Sequence, residues 1–114
     1  MAGYRQKNLV SYFVYIIECH NGTLYTGYTT DIHRRYQEHC AGTAACKYTR
    51  SFPPKKLAAY WEFDVDLSTI LKIEACIKKL SKHQKLSLIQ APQTLETLSP
   101  ELTPGLPGVI HESK

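Results

Sequence analysis

The run from Tyr12 to Cys19, YFVYIIEC, constrains this chain more than any other stretch. It is nearly all β-branched or aromatic, so it reads as a central strand covered on both faces. A chain with such a strand has to build a sheet around it. Asn21-Gly22 follows, and then a second strand-like run from Leu24 to Thr29, which together signal a hairpin. Two registers are open. A two-residue Asn21-Gly22 turn pairs His20 with Thr23 and sends Tyr15 and Tyr25 to opposite faces. A three-residue loop, His20 to Gly22, pairs Cys19 with Thr23. It sets Tyr25 opposite Ile17 and diagonal to Tyr15 on one face, because side chains alternate along a strand. Gly22 suits the left-handed last position of the longer loop.

Downstream, Asp31 caps a helix running to about Ala41, with Gly42 as its stop. Thr43 to Pro54 reads as a loop of small and basic residues, and Lys56 to Phe63 as a third strand. A helix follows from about Ser68 to Leu80, and Ser81 caps another from Lys82 to about Ile89. The order β-β-α-β-α-α predicts an α+β domain, a small antiparallel sheet packed by helices. Residues 1–10 read as a flexible leader, 11–90 as the domain, and the Pro- and Gly-punctuated 91–114 as a mobile tail.

At 114 residues the chain can bury one modest core. No apolar run reaches the roughly 18–20 residues of a membrane span, and the N-terminus lacks the apolar stretch of a secretion signal. Cys19, Cys40, Cys46 and Cys76 have no CxxC spacing. That argues against a zinc ribbon or a secreted disulfide framework and suits reduced thiols in the cytoplasm. The net charge is +4. Without the tail, 13 basic and 7 acidic residues remain, a balance that suits a polyanionic partner such as nucleic acid.

Three residues are poor choices for stability alone. Arg35 and His39 lie four apart and share a helix face, where the arginine depresses the histidine's proton affinity. A neutral imidazole beside a fixed cation can accept a proton or hydrogen bond from a water or a phenol. Arg34 and Glu38 look like an ordinary surface pair, with Ile32, Tyr36 and Cys40 as the apolar face. Glu74 falls at the edge of the buried stripe Ile70, Ile73, Ile77 and Leu80. A carboxylate there pairs with Lys78, reaches solvent, or binds a metal. One protein carboxylate plus waters and substrate phosphate is a common way to hold Mg²⁺.

Together these residues resemble the GIY-YIG endonuclease superfamily, and above all its short single-domain bacterial members, the YhbQ type. The signature triplets appear as Phe13-Val14-Tyr15 and Tyr25-Thr26-Gly27, the basic helix motif as Asp31 to His39, and the metal-binding helix as Ile73 to Leu80. The resemblance spans about residues 11–90. It implies a three-stranded antiparallel sheet flanked by helices, and metal-dependent hydrolysis of phosphodiester bonds with one Mg²⁺ or Mn²⁺ per site. The implied substrate is DNA chosen by structure rather than sequence, as in repair or recombination. By position, Tyr15 becomes the general base or the residue that places the attacking water, and Tyr25 supports that water or the phosphate. Arg35 stabilises phosphate charge, His39 accepts from Tyr15, and Glu74 binds the ion. Lys47, Tyr48, Arg50, Lys78, Lys79, Lys82 and Lys85 are the candidate nucleic-acid contacts. The asparagine that many members carry after the metal helix is absent; Lys82, Gln84 and Lys85 occupy that region. The same features admit a rival, a nucleic-acid-binding module that keeps the fold without useful catalysis.

Overall fold

A computed structural model of the chain describes residues 10–43, 46–95 and 109–112. The YFVYIIEC run lies within β1, Val10–Cys19, which pairs antiparallel with β2, Leu24–Thr29, on one side and β3, Pro54–Val65, on the other. β1 is therefore the middle of a three-stranded antiparallel sheet, as its continuous apolar run requires. A short fourth strand, β4, Val109–Glu112, pairs antiparallel with the free edge of β3 and completes the order β2-β1-β3-β4. The expected leader, apart from Val10, and most of the expected tail lie outside the described residues.

The hairpin takes the longer loop. Ile17 faces Tyr25, and the Cys19 N–H donates to the Thr23 carbonyl at 2.9 Å. Gly22 sits at φ 87°, the left-handed conformation that this loop needs at its last position.

Helix α1, Ile32–Ala41, starts where Asp31 accepts the Arg34 N–H at 3.1 Å and stops at Gly42. The segment expected as a loop contains a helix, α2, Lys47–Ser51. One turn and a half is too short to show a helical period in sequence and depends on tertiary contacts. The third strand is longer than expected at both ends. α3, Leu67–Lys78, starts one residue early because Asp66 caps it, accepting the Thr69 N–H at 3.0 Å. α4, Lys82–Gln90, opens on a capping box between Ser81 and Gln84.

The sheet separates two interiors. On one face Val14, Ile16, Trp61 and Phe63 pack with Ile70, Ile73 and Ile77 of α3 and Leu88 of α4. The Trp61 indole donates to the Pro92 carbonyl at 3.0 Å, and Leu95 is also buried there. On the other face Tyr15, Ile17 and Cys19 pack with Ile32 of α1, flanked by Tyr25, Tyr36 and Tyr48. The alternation along β1 makes this division: odd positions face α1 and α2, even ones α3 and α4.

Candidate active site

The hairpin register sets Tyr15 directly opposite Gly27 and brings it beside Tyr25, ring centroids 6.4 Å apart. Gly27 is required by its neighbour. A Cβ there would lie 2.5 Å from the Tyr15 Oη and 2.7 Å from its Cζ. The phenol occupies the space a side chain would fill, so any larger residue at 27 displaces it.

Helix α1 delivers the histidine. His39 is 1% exposed. Its Nε2 lies 2.8 Å from the Tyr15 Oη and its Nδ1 lies 2.6 Å from the Thr49 Oγ1. The Thr49 hydroxyl donates in turn to the Cys46 carbonyl at 3.4 Å. The tautomer that satisfies all three contacts has Nδ1–H donating to Thr49, the Thr49 hydroxyl turned to Cys46, and Nε2 accepting from the Tyr15 hydroxyl.

Arg35 shares this helix face. Its Nη1 donates to Glu38 at 2.9 Å while its guanidinium also hydrogen-bonds Tyr15. Glu38 takes Arg34 as well, at 3.1 Å, so the expected surface pair is half of a shared carboxylate. Burial works against the charge of Arg35, but the bonds to Tyr15 and Glu38 outweigh it and hold the guanidinium more firmly protonated than usual. Burial, with Arg35 next to it, lowers His39 to about 4, so the imidazole is neutral at physiological pH. Burial raises the Tyr15 phenol to about 12, with the Arg35 hydrogen bond opposing. Those values leave the proton on the phenol at rest by a wide margin. Cys40, expected on the apolar face of α1, is exposed instead; the buried place is taken by His39.

Tyr15 and His39 are buried, while Tyr25 and Arg35 are half-buried and form the face that solvent reaches. The four candidates Tyr15, Tyr25, Arg35 and His39 therefore meet in one site. Tyr25 and His39 also touch, with ring centroids 5.2 Å apart.

Glu74 belongs to α3, which packs on the opposite face and runs against the edge strand β2. Its side chain is 13% exposed and its carboxylate meets the Lys78 ammonium at 3.5 Å. No cluster of three or more His, Cys, Asp or Glu side chains is found among the described residues. The donor set on offer is thus one hard carboxylate, sheltered and with a single long ion pair. That fits a hydrated Mg²⁺ or Mn²⁺ completed by waters and phosphate, and does not fit an ion needing a full protein cage.

The candidate nucleic-acid contacts divide between the faces, and Tyr48 and Lys85 reach the hairpin from opposite sides. Lys47, Tyr48 and Arg50 belong to α2, where the Tyr48 hydroxyl donates to Thr23 Oγ1 at 2.6 Å. Lys78 and Lys79 lie at the end of α3, and Lys82 and Lys85 on α4. Lys85 is half-buried and donates to the Leu24 carbonyl at 3.3 Å, bracing the hairpin. Lys79 and Lys82 are exposed.

Thr49, Gly27 and Glu38 are members of the site that sequence reasoning did not assign to it. Gly27 had a signal, since a glycine inside a strand marks close approach. Thr49 had none: only folding sets it against a histidine ten residues earlier.

Comparison with known proteins follows the same residues. A family model described as the GIY-YIG catalytic domain matches residues 11–87. A UPF0213 protein of Syntrophus aciditrophicus is 50% identical over 78 residues, covering 68% of this chain and 88% of that protein. A UPF0213 protein of Halobacterium salinarum is 51% identical over 75 residues, covering 66% and 95%. The solution NMR structure of a UPF0213 protein from Bacillus halodurans shares 38% sequence identity with a TM-score of 0.46, covering 77% of this chain and 95% of that one.

Proposed function

The chain belongs to the GIY-YIG catalytic domain family, and from that premise we propose that it is a nuclease that hydrolyses phosphodiester bonds in nucleic acid, DNA with structure rather than sequence preference being its substrate. The observation that carries this reading is the buried 2.8 Å hydrogen bond from Tyr15 to a neutral His39 beside Arg35. A phenol, a proton acceptor and a fixed cation are three groups that attack of water on a phosphate needs.

In this reading Arg35 and Tyr25, the members that solvent reaches, receive the phosphate. The phosphate competes with Glu38 for Arg35 and offsets the positive charge that, after burial, holds the His39 proton affinity down. The attacking water hydrogen-bonds the Tyr15 oxygen. As its oxygen closes on phosphorus, its proton passes to Tyr15 while the Tyr15 proton passes to His39 Nε2. Moving both protons together avoids a free phenolate, which the raised phenol value disfavours. The P–O bond to the leaving oxygen then breaks, and Arg35 neutralises the developing charge. Glu74 would hold a divalent ion, Mg²⁺ or Mn²⁺, which supplies Lewis-acid stabilisation of phosphate and leaving-group charge when bound.

One observation favours the rival, a binding module without useful catalysis: Tyr15 is 1% exposed and its proton is firmly held. Incubating branched, nicked, single-stranded and RNA substrates with Mg²⁺ or Mn²⁺ separates the two. The nuclease cuts at least one of them and Glu74→Gln abolishes the cut with the fold intact. A chain that binds the panel, cuts none, and binds equally well as Glu74→Gln is the module. No helix among the described residues is long and apolar enough to cross a membrane. The four free thiols support placement in the cytoplasm.

A further inference from the structure

Tyr25 is the first ring of a row that leads out of the active site. It stacks on Tyr48, centroids 5.4 Å apart and planes 17° apart, and Tyr48 meets Phe52 at 4.9 Å and 38°. The row ends at the surface, where Phe52 is 40% exposed. A single exposed aromatic is ordinary. This one continues a stacked series from a catalytic tyrosine, and its backbone is fixed. The Phe52 N–H donates to the Tyr48 carbonyl at 2.9 Å, and the Pro53 carbonyl accepts the His20 N–H at 2.9 Å. Tyr48 is itself tied to Thr23. Cations flank the row along the chain: Lys47 and Arg50 are exposed on the same short helix, and Lys55 follows on β3, its side chain 56% exposed and in a long ion pair with Glu18 at 3.9 Å.

We propose that Phe52, backed by Tyr48, forms a stacking platform for an unpaired base of the substrate strand, next to the phosphate held at Arg35 and Tyr25. The inference rests on the nuclease reading and names its substrate class: nucleic acid with an unpaired segment beside the cut. The chemistry selects that occupant. A base in single-stranded nucleic acid offers a free π-face, and its flanking phosphates meet Lys47 and Arg50. A base within a duplex has both faces covered by its neighbours and cannot use the platform. Every base has a π-face, so the platform carries no sequence preference, in keeping with a structure-selective enzyme. Because the rings are held in place before binding, little ordering entropy opposes the stack.

The test measures binding by fluorescence anisotropy in EDTA, with the full chain, a labelled single-stranded DNA oligonucleotide and a closed dumbbell duplex that has no free ends. Phe52→Ala is expected to weaken single-strand binding about tenfold and dumbbell binding less than about twofold, and Phe52→Trp to restore the first. A 2-aminopurine in the single strand should be quenched on binding the wild type and not Phe52→Ala. Equal losses on both DNAs, no loss on either, or no recovery in Phe52→Trp overturns the platform. A chain that binds or cuts nucleic acid with no dependence on Phe52 removes the platform alone. A wild type that binds neither DNA removes the nuclease reading with it.

Discussion

On the α3 side of the sheet, Val14 and Ile16 of β1 meet Ile70, Ile73 and Ile77 in an interior made almost entirely of hydrocarbon. On the α1 side, the residue between those two, Tyr15, meets His39 and Thr49 in a buried chain of hydrogen bonds. The same strand builds both. The first interior can be packed by any apolar set of the right volume. The second tolerates little change, because each buried polar atom needs its own partner and the low dielectric makes a missing one costly. The α3 side thus holds the sheet together, and the α1 side uses that rigidity to fix a neutral phenol, a neutral imidazole and a charged guanidinium more firmly in those states than water would. The division has two exceptions, both on the α3 side. Thr26, on the α3 side, buries a hydroxyl with no hydrogen-bond partner among the described residues. Glu74, on α3, is a half-buried carboxylate at the edge of the hydrocarbon side.

The comparison can be broken at four points. The largest effect is expected at Tyr15→Phe, which keeps the ring over Gly27 and deletes only the hydroxyl. Cleavage should fall on the order of 10² to 10⁴-fold, the range for general acid–base help. Combined with Glu74→Gln the losses should be far from additive, since both groups serve one transition state. Full activity in Tyr15→Phe, measured under single-turnover conditions, would mean that the tyrosine is a strand residue and the α1 side is only another core.

Acid should act on the α1 side next. His39 titrates at about 4 in the folded chain against an ordinary 6.5. Between those values the unfolded chain binds the extra proton, so stability present above pH 6.5 is lost as pH falls towards 4. The difference corresponds to about 3 kcal/mol. Urea melts of the wild type and His39→Gln across that window should diverge by this amount, and parallel curves would show that the imidazole is not held neutral.

A smaller effect tests the hydrogen-bond chain. Thr49→Val removes the acceptor of His39 Nδ1–H at nearly constant shape. It should destabilise by about 1–3 kcal/mol, the cost of an orphaned buried donor, and Thr49→Ser should recover most of it. Nitrogen-15 NMR of His39 gives the independent reading: a proton on Nδ1 in the wild type and in Thr49→Ser, and a shift of tautomer in Thr49→Val. An unchanged tautomer in Thr49→Val would leave Thr49 as packing.

The smallest effect has the opposite sign. Thr26→Val replaces the unpartnered hydroxyl on the hydrocarbon side with a methyl group and should stabilise the fold by about 1 kcal/mol, with no change in cleavage. A raised urea midpoint at constant slope would support the division between faces. A loss of stability would mean that the hydroxyl has a partner, and that the α3 side is more polar than described.

Much of this was written in the chain itself. The apolar run of β1, the Asn21-Gly22 turn, the caps at Asp31 and Ser81 and the stripe Ile70-Ile73-Ile77 are local patterns, and local patterns encode local structure because propensity and periodicity act between near neighbours. The spacing that puts Arg35 and His39 on one helix face is equally local. Folding decided the rest. Both hairpin registers satisfied the local chemistry, and the longer loop is the one that brings Tyr15 and Tyr25 to one face with Gly27 beneath the phenol. Helix α2 is too short to announce itself, yet it carries Thr49 to His39 and Tyr48 to Tyr25. The placement of Glu74 on the face opposite His39 depends on which side of the sheet each helix packs. A hydrogen bond or a close approach between residues distant in sequence has no periodicity to betray it, because its partners are chosen by the packing of whole elements.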